Sequence, residues 1–325
     1  MEETKDNTGF KIQGGFNFIA TVLDIDFELP LDITPTLRLE RASKNQIEVI
    51  KKTLVTNYGM SSYSEHYHYE SDIKDEGDGR TSYHALPEES FKYYVVSYSG
   101  GNQQAYQFFS VADLIFPHLA TFSSFHTSEE FGNGKIIGSG RDSFGSTSFY
   151  FMPTHFPKKF DIDAFNRMQE LLQKYIGLDA VLYEGIIRAI RFNDNLKRVS
   201  RLNELPVLGL FVIIEMLLTH NPNDKEIGDS LTHQIKTKIA FLSPRFVIPL
   251  DYSVFGEKEI PEKIWGSLYE YRSCVAHGNH IDFSKGQLKR LKDADTAYDF
   301  LKAATRTLLV QALMEPDIIN GLKPI

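Results

Sequence analysis

The chain has 325 residues, 42% hydrophobic and 24% charged, the composition of a folded globular protein and not of a disordered one. At roughly 100–200 residues per domain, this length predicts two domains. The net charge of −8 argues against a basic coat that grips nucleic acid over a wide surface, while leaving room for a local basic pocket.

Cys274 is the single cysteine, so no intrachain disulfide can form, which fits a reducing compartment. The opening "MEETKDNTGF" has neither the basic start nor the apolar core of a secretory signal. The longest apolar run, "LPVLGLFVIIEMLL" (Leu205 to Leu218), is too short to span a bilayer and carries Glu215. A soluble, cytoplasmic protein with no membrane partner is expected.

The first half is rich in aromatic and β-branched residues. "FNFIATVLDIDFELP" (Phe16 to Pro30) and "FKYYVVSYSG" (Phe91 to Gly100) read as strands, the second ending in a Gly-Gly turn. Ile47, Ile50 and Leu54 recur with helix period in "KNQIEVIKKTLV". The polar stretch from Asn57 to Glu89 reads as a long loop or a hairpin. "VADLIFPHLA" reads as a short helix broken at Pro117, and "KIIGSGRDSFGSTSFYFMP" as one or two glycine-punctuated strands. An α+β domain over residues 1–158, of unassigned role, is the expectation.

After Pro153 and Pro157 helical periodicity takes over. "DIDAFNRMQELLQKYI" offers Asp161 or Asp163 as N-cap and an apolar face of Phe165, Met168, Leu171, Leu172 and Ile176. The next segment sets Leu182, Ile186, Ile187 and Ile190 against a basic side of Arg188, Arg191, Lys197, Arg198 and Arg201. "PVLGLFVIIEMLLTH" is apolar all round, the mark of a central buried helix. "IGDSLTHQIKTKIAFL", "KIWGSLYEYRSCVAH" and a long closing helix, "KGQLKRLKDADTAYDFLKAATRTLLVQALM", complete an all-α bundle over residues 159–325. Acidity is concentrated ahead of it: residues 1–160 hold 14 Lys/Arg against 21 Asp/Glu, and residues 161–325 hold 21 against 22.

"YEYRSCVAHGNH" sets Arg272 five residues before His277, with Gly278 where a left-handed C-terminal cap belongs. The bland reading is a cationic side chain at the negative end of a helix and an arginine paired with a carboxylate. The functional reading needs both side chains at one atom, yet i and i+5 differ by about 140° around a straight helix. Either the helix tightens or ends between them, or two copies meet across a two-fold axis and each offers one member of the pair. Histidine moves protons near neutral pH, and arginine matches two phosphate oxygens, the needs of RNA cleavage by a 2′-hydroxyl without a metal.

"LYEYRSCVAHG" resembles the Arg-x4-His signature of HEPN domains, and the order of elements over residues 161–315 is similar to the ApeA-like branch of that superfamily. The matching parts are the glutamate-bearing apolar helix "FVIIEMLLTH", "IKTKIAFL", the Arg–His helix with "HG" behind it, and a long last helix. The resemblance covers about half of the chain and not residues 1–158. It implies a metal-independent endoribonuclease that dimerises to form its site, without a cofactor, often a toxin or an anti-phage effector. Carried over by position, Arg272 and His277 are the catalytic pair and Glu215 is the acid within the apolar helix. Many relatives place Asn, Asp or His after the arginine. Here it is Ser273, a weaker proton-handling group, so a catalytically silent binding or dimerisation scaffold stays open beside the nuclease.

A buried carboxylate needs a partner, and Arg272 is the expected partner of Glu215. Tyr269 and Tyr271 flank Arg272 and are placed to stack on a base or to pack in the core. The basic side is read as an RNA-contact stripe or a solvated helix face. RNA, a second copy of the chain, and an antitoxin or trigger protein held by the N-terminal half are the partners this reading carries. His66 and His68 alternate in "SEHYHYE" with Glu65, Glu70 and His84 near, without a compact second ligand pair, so loop histidines are expected rather than a metal site. "GSGRDS" lacks the lysine and the strand-to-helix setting of a P-loop. Cys274 reads as a packing residue, and His280 as an accessory group just past the cap.

Overall fold

Alternating buried residues build the N-terminal sheet. The structure, a computed structural model, describes residues 12–58, 67–77, 80–117, 119, 121–141, 157–199, 204–221, 230–257 and 259–323. Strands β1 (Gly14–Ile19), β2 (Leu23–Ile25), β3 (Leu31–Thr34) and β4 (Leu37–Arg41) come first. Helix α1 (Lys44–Tyr58) opens on a capping box, in which the Gln46 N–H donates to Ser43 Oγ and the Ser43 N–H to Gln46 Oε1. Short helix α2 (Tyr67–Glu70) leads into a hairpin of β5 (Ser71–Asp75) and β6 (Thr81–Ala85), so the polar stretch contains a hairpin. Then follow β7 (Tyr94–Ser99), α3 (Gln103–Ile115), β8 (Thr121–Thr127) and β9 (Ile136–Arg141). Helix α3 is longer than the sequence suggests, and it ends just before Pro117 as expected.

The main sheet runs β3-β4-β7-β1-β8-β9, antiparallel throughout. Phe16 and Phe18 of β1 share one face, where they meet Val95, Phe125, and Ile50 and Leu54 of α1. On the other face Gly15 makes room. A Cβ at Gly15 would lie 2.4 Å from the Tyr98 hydroxyl and 2.1 Å from the Phe125 carbonyl oxygen.

Strand β10 (Lys158–Phe160) pairs in parallel with β2, and helix α4 (Ile162–Ile176) follows, its start capped by Asp161 accepting from the Ala164 N–H. Phe165 of α4 meets the Phe27 ring, and Gln169 donates to the Asp32 and Ile33 carbonyls. These ties hold most of α4 to the sheet. The chain therefore divides into units of residues 1–172 and 173–325, a boundary inside α4, whereas the change of periodicity in the sequence lies at 158/159. Ile176, expected on the apolar face, is 43% exposed in the last turn.

The second unit is helical: α5 (Glu184–Leu196), α6 (Leu205–Leu218), α7 (Leu231–Leu242), α8 (Pro261–His277), α9 (Ala294–Met314) and the short α10 (Pro316–Gly321). As the all-apolar pattern predicts, α6 is central, packed against α5, α7, α8, α9 and α10. Leu182 departs from the pattern. It lies in a turn where Asp179 accepts from the Val181 and Leu182 N–H groups, and it is 55% exposed. The closing helix starts later than its apolar period suggests, at an Asp293 cap that follows a positive φ at Lys292. The chain is thus α+β, an antiparallel sheet followed by helices. Among the described residues no helix is long and apolar enough to cross a membrane.

Replacing Gly15 by alanine should lower the urea-unfolding free energy by about 1–3 kcal/mol through overpacking. Gly138→Ala, where the added carbon meets nothing within 4 Å, should change it by no more than about 0.5 kcal/mol.

Candidate functional site

Helix spacing fixes which way each site residue of α8 can face. Ile264, Trp265, Leu268 and Tyr271 form its buried side. Arg272 is four residues beyond Leu268, about 40° from the centre of that side, and His277 is nine beyond, about 180° away. Exposure follows the arithmetic. The Arg272 side chain is 26% exposed, whereas His277 is open to solvent. The helix is unbroken to His277 and ends on Gly278 at φ 66°, with the Asn279 N–H donating to the Cys274 carbonyl. Within one chain the helix therefore neither tightens nor ends between Arg272 and His277, and it does not bring them together.

Arg272 faces α6 at a two-rung contact. Phe211 and Glu215 stand four apart on α6, and Tyr269 and Arg272 three apart on α8, so each pair shares a helix face. The Phe211 and Tyr269 rings meet edge-on, 5.9 Å between centroids. Glu215 Oε1 lies 3.4 Å from Arg272 Nε. The expected partner of the buried carboxylate is thus in place. The guanidinium carbon also lies 5.5 Å from the centre of the Tyr269 ring. The pair is ionic rather than hydrogen-bonded: both facing atoms are buried, and neither has a hydrogen-bond partner among the described residues. Burial pushes the Glu215 carboxyl above its ordinary pKa, and the neighbouring Arg272 charge offsets this only in part.

The other expected residues are spread out. Tyr271 is 2% exposed and packs on Phe283, its hydroxyl pushed up to about 12, chiefly by burial. It is a core residue and not a surface for a base, which leaves Tyr269 as the aromatic beside Arg272. Ser273 is half-buried, and His280 is exposed beyond the cap. Cys274 is buried, and that burial raises its thiol pKa, as suits a packing residue.

On the basic side Arg188, Arg191 and Arg198 are exposed, Lys197 pairs with the buried Asp194 at 2.9 Å, and Arg201 lies outside the described residues. Lys323 joins this side unforeseen. Burial and the Arg188 charge lower its pKa, and no helix period in the sequence links the two. Phe211 was equally unmarked, although its i, i+4 relation to Glu215 was there to be read. Glu65, His66 and the GSGRDS segment beyond Arg141 fall outside the described residues. Among the described ones no group of three His, Cys, Asp or Glu could hold a metal ion.

An acid whose folded-state pKa is raised holds its proton more tightly when folded, so stability falls as pH rises from the unfolded to the folded value. Glu215→Gln abolishes that titration. The unfolding free energy of the wild type relative to this variant, followed in urea from about pH 4 to about pH 7, should decline and then level off. A flat difference would refute a raised Glu215 pKa. Comparison with protein-family models, curated proteins and solved structures finds no match to this chain.

Proposed function

We propose that the helical half is a metal-independent endoribonuclease of the HEPN type, assembled from two copies of the chain. The observation that carries this reading is the state of Arg272. Its guanidinium is oriented by Glu215 and Tyr269, and its buried Nε faces Glu215 Oε1 at 3.4 Å without forming a hydrogen bond. An arginine held in place in this way is suited to a phosphate.

In the proposed reaction, His277 of one copy takes the proton from a ribose 2′-hydroxyl. The oxygen attacks the adjacent phosphorus, and Arg272 of the other copy balances the charge on the phosphorane-like transition state. The P–O5′ bond breaks and the 5′-oxygen collects a proton, leaving a 2′,3′-cyclic phosphate and a 5′-hydroxyl. Exposed Arg188 and Arg191 would meet phosphates outside the cut. Glu215 would act as a positioning residue. The biological setting that fits is a toxin or anti-phage effector, with the N-terminal unit receiving a trigger protein or an antitoxin.

One observation favours a second reading, a dimerising or binding scaffold without catalysis. In a single chain the pair diverges, and Arg272 already has a counter-charge.

Digestion of single-stranded RNA in EDTA separates the two. The nuclease reading expects cleavage that falls about 10²-fold or more in both Arg272→Ala and His277→Ala. Mixing the two variants should restore part of the activity, because a mixed dimer rebuilds one intact Arg–His pair. Cleavage that is absent, or equal in wild type and both variants, would leave the scaffold.

A further inference from the structure

At the other end of α8 the helical unit holds a cavity of about 330 Å³, lined by Lys236 of α7, Glu262, Lys263 and Gly266 of α8, and Gln287 and Arg290 beyond it. We propose that this cavity is a phosphate-binding site, taking the phosphate of a small ester or of a nucleic-acid strand. The inference does not rest on the nuclease reading.

Cations from three separate stretches of chain converge on a single lining carboxylate. Among the described residues Lys236 and Lys263 form no ion pair, and Arg290 only a long one to Glu259, at 3.8 Å. Converging like charges repel, and a bound anion reverses the sign of that interaction. Gly266 gives the cavity its floor. A Cβ there would stand 2.9 Å from Lys236 Nζ, so the ammonium group lies against bare α8 backbone, and Gln287 Oε1 is 3.8 Å from the same point. The helix terminus is not the donor: the Lys263 and Ile264 N–H groups are already engaged by the Ile260 carbonyl. Binding falls to the side chains, with Arg290 and the two lysines as charged donors and Gln287 as a neutral one. The volume is at the small end for a ligand pocket, enough for a phosphate and part of a sugar.

The site also has a defined relation to His277. Gly266 and His277 are eleven residues apart, which is about 20° past three full turns, so both lie on one face of α8 about 16 Å apart. Ser273, half-buried, lies between them on that face.

The test is thermal unfolding of the full chain in inorganic phosphate, against chloride at equal ionic strength. Phosphate should raise the Tm of the wild type and of Lys289→Gln, an exposed neighbour outside the lining. In Lys236→Gln and Arg290→Gln, titration by calorimetry should show phosphate affinity at least about tenfold weaker, the loss of one charge-assisted hydrogen bond. If one variant does not fold, the other carries the comparison. Adenosine monophosphate displacing phosphate would assign a small ester. A 5′-phosphorylated RNA trinucleotide doing so where the mononucleotide does not would assign a strand. Either supports the site. No shift beyond that of chloride, or wild-type affinity in both variants, overturns it.

Discussion

A single carboxylate in an otherwise apolar helix organises the second unit. Helix α6 touches every other labelled helix from α5 to α10, so its sequence must be apolar nearly all round. Glu215 is the exception. An ionised carboxylate in that setting is unfavourable by several kcal/mol unless a cation faces it. Arg272 meets that need from α8, and the same contact turns the guanidinium toward the core edge and away from His277. The buried apolar side of α8 and this one charge contact agree on its orientation, which leaves His277 facing solvent.

The contact is also incomplete. The ion pair is longer than a hydrogen bond, and burial outweighs the arginine in setting the carboxyl's proton affinity. Glu215 thus orients the guanidinium through an ion pair, with no hydrogen bond between the two facing atoms.

Much of this was legible in the residues. Helix period located α1, α6 and α8, a buried acid announced its need for a base, and the turn per residue alone said that Arg272 and His277 diverge. What escaped was set by distance along the chain. The tie of α4 to the first unit runs through Phe27, Asp32 and Ile33, more than a hundred residues earlier, and no local pattern encodes it. The exposure of Leu182 came from a competing turn at Asp179, which hydrophobic spacing ignores. The cavity on α8 needed Lys236, Gly266 and Arg290 to meet from three places, each unremarkable by itself. Tyr271 and Tyr269, alike in sequence, were separated only by which side of α8 each occupies.

Unbroken between its two ends, α8 holds Gly266 and His277 a fixed span apart. A ligand long enough to reach from the cavity to the imidazole would be matched by its length and not by the letters along it.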